Sequence, residues 1–135
     1  MTYLLDTNVC IQLLNNKNAC IMENLRKHHP SEIAICSVVR AELLYGARRS
    51  QRIEANLALL NGFFAPLTSF SFDDMCAEHY GQIHAELLNK GTPIGPNDTL
   101  IAAIARANNL TLVTHNTREF GRVSDLKLVD WESNI

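Results

Sequence analysis

Three acidic residues of this chain stand in segments that are otherwise mainly apolar. Asp6 follows a short apolar run near the N-terminus, Glu42 interrupts the segment 37–44, and Asp98 begins an apolar stretch. Because a buried carboxylate without a partner is costly, three such placements indicate that the carboxylates share a partner. A divalent cation meets that requirement most simply. The acids therefore predict a metal-dependent enzyme.

The types of these side chains indicate which cation and which chemistry to expect. All three are carboxylates, and neither histidine nor cysteine occurs at metal-binding spacing, which favours Mg²⁺ or Mn²⁺ over zinc. Such a site polarises a phosphoryl oxygen, orients a water molecule and stabilises the leaving oxygen. This chemistry suits phosphodiester hydrolysis, although the acids alone do not name the substrate.

Each acid also has an ordinary structural explanation. Asp6 and Asp98 stand where aspartate serves well as a helix N-cap, and Glu42 can lie on a solvated helix face. One metal site accounts for the three acids together better than three unrelated explanations do.

Apolar runs and helical periodicities alternate along the sequence. The predicted strands cover residues 2–5, 33–36, 67–70, 110–114 and 126–129, and the predicted helices cover 7–15, 19–28, 37–49, 50–64, 72–90 and 97–108. Ser37 is expected to cap the third helix, and Asn97 or Asp98 the last one. Continuous apolar strands between helices indicate a mainly parallel sheet covered on both faces. The expected fold class is therefore α/β, with three layers.

The expected helix phases place two of the acids on apolar faces. Glu42 shares a face with Val38 and Tyr45, and Asp98 shares one with Ile101. Both faces are expected to meet the sheet. Because open parallel sheets bind ligands beyond the carboxyl ends of their strands, the acids can converge at that edge.

The bulk composition limits the class of protein. The chain has 135 residues, of which 47% are hydrophobic, so residues 1–135 are expected to form a single domain. It has no apolar run long enough to cross a membrane, and Asp6 comes too early for a signal peptide, so a cytoplasmic location is expected. The four scattered cysteines indicate free thiols. The net charge of −2 argues only weakly against a nucleic-acid substrate.

Four ordered motifs resemble those of the PIN-domain ribonucleases and, within them, the VapC toxins of bacterial type II toxin–antitoxin systems. The motifs are residues 6–8 (DTN), 40–46 (RAELLYG), 93–103 (PIGPNDTLIAA) and 112–120 (LVTHNTREF). The resemblance runs essentially from one end of the chain to the other, which makes it far more specific than a lone Asp-Thr-Asn. It implies a PIN-like domain over residues 1–135.

The resemblance also implies an activity and a set of residues. It implies a Mg²⁺- or Mn²⁺-dependent endoribonuclease toxin that a VapB antitoxin neutralises, with Asp6, Glu42 and Asp98 as the catalytic and metal-binding acids. Many members of the family have an aspartate where this chain has Asn116. Asparagine accepts a hydrogen bond but brings no negative charge, so the fourth metal-binding position falls to Asn116 or to Glu119.

Further expectations concern supporting residues, substrate and assembly. Thr7, Asn8 and Thr114 are expected to support the ligands by hydrogen bonds. Several bacterial relatives cut structured tRNA, so tRNA is the candidate substrate, with the anticodon region of the initiator tRNA as a candidate target. The resemblance also implies a homodimer and a higher toxin–antitoxin assembly.

Exposed arginines are the candidates for contacts with RNA phosphates. Arg48 and Arg49 belong to the densest basic cluster of the chain, and Arg118 lies within the last motif. A solvated helix end explains the first two equally well.

Other classes of protein remain open at this stage. A phosphatase of the haloacid dehalogenase type needs Asp-x-Asp after the first strand, where Asn8 takes the second place. A receiver domain needs a lysine at the end of the last strand, where Lys127 comes too early. A PIN-like module that only binds RNA or protein fits the missing acid at Asn116, but the three intact acids oppose it.

Overall fold

The computed structural model describes residues 1–133, along which strands and helices alternate. The strands are β1 (Tyr3–Leu5), β2 (Ile33–Cys36), β3 (Thr68–Phe70), β4 (Thr111–Val113) and β5 (Lys127–Val129). The helices are α1 (Thr7–Leu14), α2 (Ala19–Arg26), α3 (Ser37–Arg48), α4 (Ile53–Phe64), α5 (Asp74–Asn89), α6 (Pro96–Ala107) and α7 (Thr117–Phe120), and a 3₁₀ turn (Pro30–Glu32) precedes β2.

The five strands form one parallel sheet in the order β3-β2-β1-β4-β5. β1 is the central strand, where Leu4 lies opposite Ala34 of β2 and Leu112 of β4, and all three side chains are fully buried. A central parallel strand is covered on both faces, which is why these runs are continuously apolar. The expected α/β fold with a parallel sheet between helices is confirmed.

The strand order changes direction at β1. From β1 the chain adds β2 and β3 on one side, whereas β4 and β5 lie on the other side. The neighbouring strands β1 and β4 are therefore followed by connections that lead to opposite sides of the sheet. A crevice opens between these connections, beyond the carboxyl ends of the two strands. Asp6 directly follows β1, and Thr114 directly follows β4. The fold thus brings the first and last sequence motifs together.

The predicted helix caps were wrong at two of the sites. Ser37 is the first residue of α3 rather than its cap, and the N-cap residue, Cys36, makes no side-chain capping hydrogen bond. Helix α6 begins at Pro96, with Gly95 in the N-cap position. Proline suits a first helical position because its φ is already helical. Asp98 therefore lies inside the first turn and does not cap the helix.

Other differences from the sequence-based elements are small. Helix α4 begins at Ile53, and α5 begins at Asp74 after the N-cap Asp73. Helix α7 and the 3₁₀ turn were not predicted, because elements of three or four residues are too short to show a hydrophobic period.

The cysteines match the expectation of free thiols. Cys10, Cys36 and Cys76 are buried, Cys20 is partly buried, and all four are unpaired as disulfides. Within residues 1–133, no helix combines the length and the apolar character that crossing a membrane requires.

Candidate active site

Asp6 is held at the point where β1 ends and α1 begins. Its backbone N–H donates to the carbonyl of Val113 on β4, at 3.1 Å. Its carboxylate Oδ1 accepts a hydrogen bond of 2.8 Å from the backbone N–H of Val9, so Asp6 is the N-cap of α1. The residue is only 6% exposed, and burial raises the pKa of its carboxyl, against an opposing hydrogen bond from Thr114. The capping explanation is correct for Asp6, and the carboxylate is also buried beside other acids.

Glu42 lies in the second turn of α3, where its carboxylate turns towards α1. The hydroxyl of Thr7 donates to Glu42 Oε1 over 2.6 Å. The expected burial of this helix face was wrong, because Tyr45 is 62% exposed, and α3 instead buries the face that carries Val39 and Leu43. Glu42 therefore lies beside an open groove, half-buried, rather than against the sheet.

Asp98 lies half-buried in the first turn of α6, where a carboxylate interacts favourably with the helix dipole. The expected packing of this helix was correct, since Ile101 and its apolar neighbours are buried. Desolvation raises the pKa of the Asp98 carboxyl, and Glu119, Glu42 and Asp6 raise it further by repulsion. These repulsions indicate that four acids from distant parts of the sequence lie in one neighbourhood.

Asn116 connects the end of β4 with the acid on α7. Its side-chain amide donates to Glu119 Oε2 over 2.7 Å, and its backbone N–H donates to the Thr114 hydroxyl over 3.0 Å. The Asn116 amide therefore orients Glu119 by donating a hydrogen bond. Of the neighbouring acids, Glu119 raises the pKa of the Asp98 carboxyl most by repulsion. We call Asp6, Glu42, Asp98 and Glu119 the acidic centre.

The acidic centre has no basic side chain to balance its charge. Among residues 1–133, no lysine, arginine or histidine lies within 4.0 Å of any of these four carboxylates in an ion pair, and the ion pairs lie elsewhere. The hydrogen-bond donors that reach Asp6, Glu42 and Glu119 are a neutral backbone N–H, a hydroxyl and a side-chain amide. Carboxylates fixed by neutral donors suit a hard divalent cation, because the negative charge remains available.

The spacing of the four acids is more open than a closed coordination sphere. Within the described part of the chain, only His115, Asp130 and Glu132 bring three potential ligand atoms within 4.8 Å of one another. The acidic centre does not meet that condition. An open arrangement fits Mg²⁺ or Mn²⁺, because such ions keep several water ligands and use few direct carboxylate bonds.

Two cavities give access to the acidic centre. A groove of about 740 Å³ borders Glu42. Its surface is mainly apolar, although half of the side chains that line it from α1, α3 and α6 are polar; Ile11, Val38 and Tyr45 are among the apolar ones. A smaller, more polar pocket of about 340 Å³ borders Asp6; it is lined by Asp6, Asn8, Gln12, His115, Asn116 and Glu132. Asn8 lines both cavities, so the centre is open on two sides.

Comparisons with known proteins give the family. The PIN domain family model matches residues 3–126. The tRNA(fMet)-specific endonuclease VapC of Shigella flexneri is 44% identical over 131 residues, which cover 97% of this chain and 98% of that protein. The chain belongs to the PIN-domain family, among the VapC ribonucleases. It is a nuclease by this membership.

Solved structures of other VapC proteins share the fold. The VapBC complex of Salmonella typhimurium, bound to DNA, matches with a TM-score of 0.91 and 42% identity over 97% of this chain and 98% of that one. The Rickettsia felis VapBC2 complex, bound to a DNA fragment from its promoter, matches with a TM-score of 0.89 and 41% identity over 97% and 99% of the two chains. The sequence-based assignment to VapC is confirmed.

Among residues 1–133, none of the three candidate arginines of this VapC chain forms an ion pair with the four acids. Arg48 and Arg49 are exposed at the end of α3, and the Arg49 guanidinium lies 5.4 Å from the centre of the Tyr45 ring, above it. Arg118 is exposed on α7, next to Glu119 in sequence. Tyr45 lines the apolar groove, so Arg49 lies near the rim of that groove.

Sequence reasoning missed the far side of the pocket at Asp6. Gln12 and Glu132 line that pocket with His115. Gln12 lies two turns into α1 and Glu132 lies beyond β5, so no motif connects them. The helical spacing from Asn8 to Gln12, four residues apart on one face, was the available signal for Gln12.

Proposed function

We propose that this chain is the toxin of a type II toxin–antitoxin system and cleaves RNA as a Mg²⁺- or Mn²⁺-dependent endoribonuclease. The acidic centre carries this proposal. Burial raises the pKa values of Asp6 and Asp98. Repulsion raises them further, from Glu132 and Glu42 at Asp6 and from Glu119, Glu42 and Asp6 at Asp98, and no basic side chain within residues 1–133 forms an ion pair with either. A bound cation removes this repulsion, and clustered acids of this kind mark functional sites.

The proposed mechanism gives each acid a distinct role. Asp6 and Asp98 would hold the cation, which would supply neutralisation of the phosphate charge and easier ionisation of a bound water. Glu42 orients the attacking water and accepts its proton, while Thr7 fixes the Glu42 carboxylate from α1. The water oxygen bonds to phosphorus as the bond to the 3′ oxygen breaks, and the released 3′ oxygen takes a proton from solvent water. The products carry a 5′-phosphate and a 3′-hydroxyl.

Glu119 supplies the fourth acidic position in this proposal. The amide of Asn116 donates to Glu119 and so occupies one of its oxygens, which fixes the direction of the carboxylate. Asn116 thereby acts as a positioning residue. Thr114 joins the two halves of the site, because its hydroxyl accepts from Asn116 and its side chain hydrogen-bonds Asp6.

A metal-dependence experiment tests the activity. Purified protein is assayed on RNA with EDTA, and then with Mg²⁺ or Mn²⁺ added back, beside Asp98→Asn. Cleavage is expected only with a divalent cation, and Asp98→Asn is expected to lose it. Asp74→Asn is the matched control, since Asp74 also lies in the first turn of a helix but is exposed and remote. Cleavage by Asp98→Asn at the control's rate would refute the assignment.

We propose tRNA as the substrate, with the anticodon region of the initiator tRNA as the target. The support is the 44% identity to the tRNA(fMet)-specific endonuclease of Shigella flexneri. Initiator and elongator methionine tRNAs are incubated with the protein, and the 5′ ends of the fragments are sequenced. Cleavage of the initiator within its anticodon stem-loop is expected. Equal cleavage of both tRNAs, or cleavage of other RNA alone, would reject this target.

We propose that a VapB antitoxin segment neutralises the nuclease by filling the apolar cavities around Glu42. Glu42 lines both the 740 Å³ groove and a second apolar cavity of about 310 Å³ between α1, α3 and α4. A segment that occupies both cavities passes over Glu42. The matching VapBC complexes of two relatives support a VapB partner. We also propose a cytoplasmic homodimer that joins VapB in a larger assembly, with each chain forming one PIN domain.

A charge-insertion pair tests the antitoxin surface. Leu59 lines the 310 Å³ cavity and is 54% exposed, and Leu88 on α5 has the same exposure outside both cavities. Leu59→Lys is expected to escape inhibition by VapB while retaining nuclease activity, because a lysine at this cavity opposes an apolar ligand. Leu88→Lys should remain inhibited. Equal inhibition of both variants would place the antitoxin elsewhere.

A further inference from the structure

A second cluster of metal-ligating side chains lies where β4 and β5 end. His115 follows β4 by two residues, and Asp130 and Glu132 follow β5. The His115 Nδ1 atom lies 2.9 Å from Asp130 Oδ2 and 3.7 Å from Glu132 Oε2. All three ligand atoms lie within 4.8 Å of one another. We call these three residues the histidine cluster.

Each carboxylate of the histidine cluster is anchored through its other oxygen. Asp130 Oδ1 accepts from the backbone N–H of Glu132 over 2.9 Å, and Glu132 Oε1 accepts from the Asn18 amide over 3.4 Å. The remaining oxygens, Asp130 Oδ2 and Glu132 Oε2, face His115. Hydrogen bonds of this kind orient metal ligands in proteins, since they fix the free oxygen before a metal binds.

Two of the separations between these atoms are close to those around a small tetrahedral cation. Ligand atoms bound to zinc at about 2.0–2.1 Å in a tetrahedron lie about 3.3–3.4 Å apart. The observed separations of 2.9 and 3.7 Å lie on either side of that value. We propose that His115, Asp130 and Glu132 form a second metal site, beside Asp6 of the acidic centre, which binds Zn²⁺ or a similar transition-metal cation.

The chemistry of the ligands separates this site from the acidic centre. Imidazole nitrogen with two carboxylate oxygens suits zinc and its neighbours in the first transition row, whereas Mg²⁺ prefers oxygen ligands alone. Three protein ligands leave a fourth position for water. His115 and Glu132 line the 340 Å³ polar pocket, so that position has access to solvent beside Asp6.

A cation in the histidine cluster would join two parts of the chain that follow different strands. His115 lies between β4 and α7, and Asp130 and Glu132 lie beyond β5. Metal binding to the folded state raises its stability, because the unfolded chain does not hold the three ligands together. The cluster also has a metal-free state, in which protonated His115 pairs with Asp130 and Glu132. Their proximity raises the pKa of His115.

Zinc binding to the full-length chain tests the proposal. Equilibrium dialysis against Zn²⁺ with Mg²⁺ in large excess measures bound zinc, and thermal unfolding measures the change in Tm. We expect a saturable zinc site and a raised Tm. His115→Gln should weaken zinc binding by about tenfold or more, since loss of even an orienting partner costs that much. Asp98→Asn should leave this zinc site intact.

Two controls decide between the outcomes. His29→Gln removes an exposed histidine that has one nearby carboxylate, Glu32, and should not change zinc binding. Far-UV circular dichroism establishes that each variant is folded. Zinc binding by His115→Gln equal to that of the unaltered chain would overturn the proposal. Loss of the same zinc on Asp98→Asn would also overturn it, by assigning that zinc to the acidic centre. The proposed nuclease function is assayed separately, with Mg²⁺ and RNA, so failure of the zinc proposal and failure of the nuclease proposal are distinguishable.

Discussion

The acidic centre and the histidine cluster lie at the same edge of the sheet but differ in what balances their negative charge. In the acidic centre, neutral groups fix the carboxylates, as Thr7 fixes Glu42 and Asn116 fixes Glu119. In the histidine cluster, the titratable side chain of His115 lies close to the carboxylates of Asp130 and Glu132. Neutral donors fix direction without removing charge, so the acidic centre retains its demand for a cation at every pH where it is ionised. The histidine cluster balances part of its own charge when His115 is protonated.

The pKa shifts of the two clusters have the same sign but act in different pH windows. Burial raises the pKa of the Asp6 carboxyl above 3.8, and burial with neighbouring acids does the same for Asp98. Hydrogen bonding to Asp130, aided by Glu132, raises the pKa of His115 above 6.5. A group with a raised pKa adds stability below its unfolded pKa and loses that contribution as pH rises through the folded pKa. Asp6 and Asp98 lose their contribution to stability as pH rises from 3.8 through their raised pKa values. His115 loses its contribution as pH rises from 6.5 through its own raised pKa.

The largest expected effect separates the two roles of Asp6. Asp6→Asn should lower RNA cleavage about a thousandfold or more, because a metal ligand contributes several kcal/mol to the transition state. It should leave stability nearly unchanged or raise it, since asparagine also caps a helix well and removes the buried charge. Asp6→Ala should lose the same activity and, in addition, about 1 kcal/mol of stability. Single-turnover cleavage and urea unfolding without metal measure both.

The contrast between the two variants is itself the control. If Asp6→Asn unfolds as easily as Asp6→Ala, the asparagine does not replace the aspartate as the cap of α1, and the proposed structural role of the Val9 hydrogen bond is wrong. If Asp6→Asn retains cleavage, Asp6 is a structural cap alone and the acidic centre does not need it.

Much of the fold was predictable because its patterns are local. The continuous apolar runs of β1, β2 and β4 indicated buried parallel strands, and the structure confirms them. Helix starts were less predictable, as Gly95 and Pro96 show, because several neighbouring residues are chemically suited to each start. The shortest α-helix among residues 1–133, α7, escaped prediction although it carries Glu119. Its four residues offer no period to detect.

The site was predictable only as far as residue types allowed. Asp6, Glu42 and Asp98 were anomalous by type, and the fold brings them together. The prediction that the helix face of Glu42 is buried was wrong. Amphipathic spacing alone did not show that α3 buries its other apolar face and leaves Tyr45 exposed. The histidine cluster was invisible, because His115 and Glu132 become neighbours only through the pairing of β4 with β5. Long-range register, which local patterns do not encode, makes that site.

The next largest effect tests which residue holds the fourth acidic position. Glu119→Gln should lower cleavage about 10- to 100-fold and raise the Mg²⁺ concentration needed for half-maximal rate, because it removes a charge from the centre. Asn116→Ala should have a smaller effect, since the Glu119 charge remains and only its orientation is lost. Rates measured over a range of Mg²⁺ concentrations compare the two. A larger loss in Asn116→Ala than in Glu119→Gln would make Asn116 the direct participant.

A smaller effect tests the neutral support of Glu42. Thr7→Val keeps the shape of the side chain but removes the hydroxyl that donates to Glu42 Oε1 at 2.6 Å. Cleavage should fall about tenfold, as expected when a hydrogen bond to a charged group is lost. Thr7→Ser retains the hydroxyl and should cleave at nearly the rate of the unaltered chain. Equal rates for the valine and serine variants would show that the Glu42 direction is fixed by other contacts.

The smallest effect returns to the contrast between the clusters. His115→Gln, compared with the unaltered chain in EDTA, should lower Tm below about pH 6.5, where His115 is charged in both folded and unfolded states. The difference should shrink as pH rises through the raised pKa of folded His115, because the neutral ring no longer pairs with Asp130. Its size is limited because the side chain is 66% exposed and solvent screens the pair. Asp98→Asn, in contrast, should raise metal-free Tm at neutral pH and lose that advantage on acidification, as Asp98 itself becomes protonated. A Tm difference for His115→Gln that is constant from acidic to alkaline pH would show that the histidine cluster is held together by packing and not by charge.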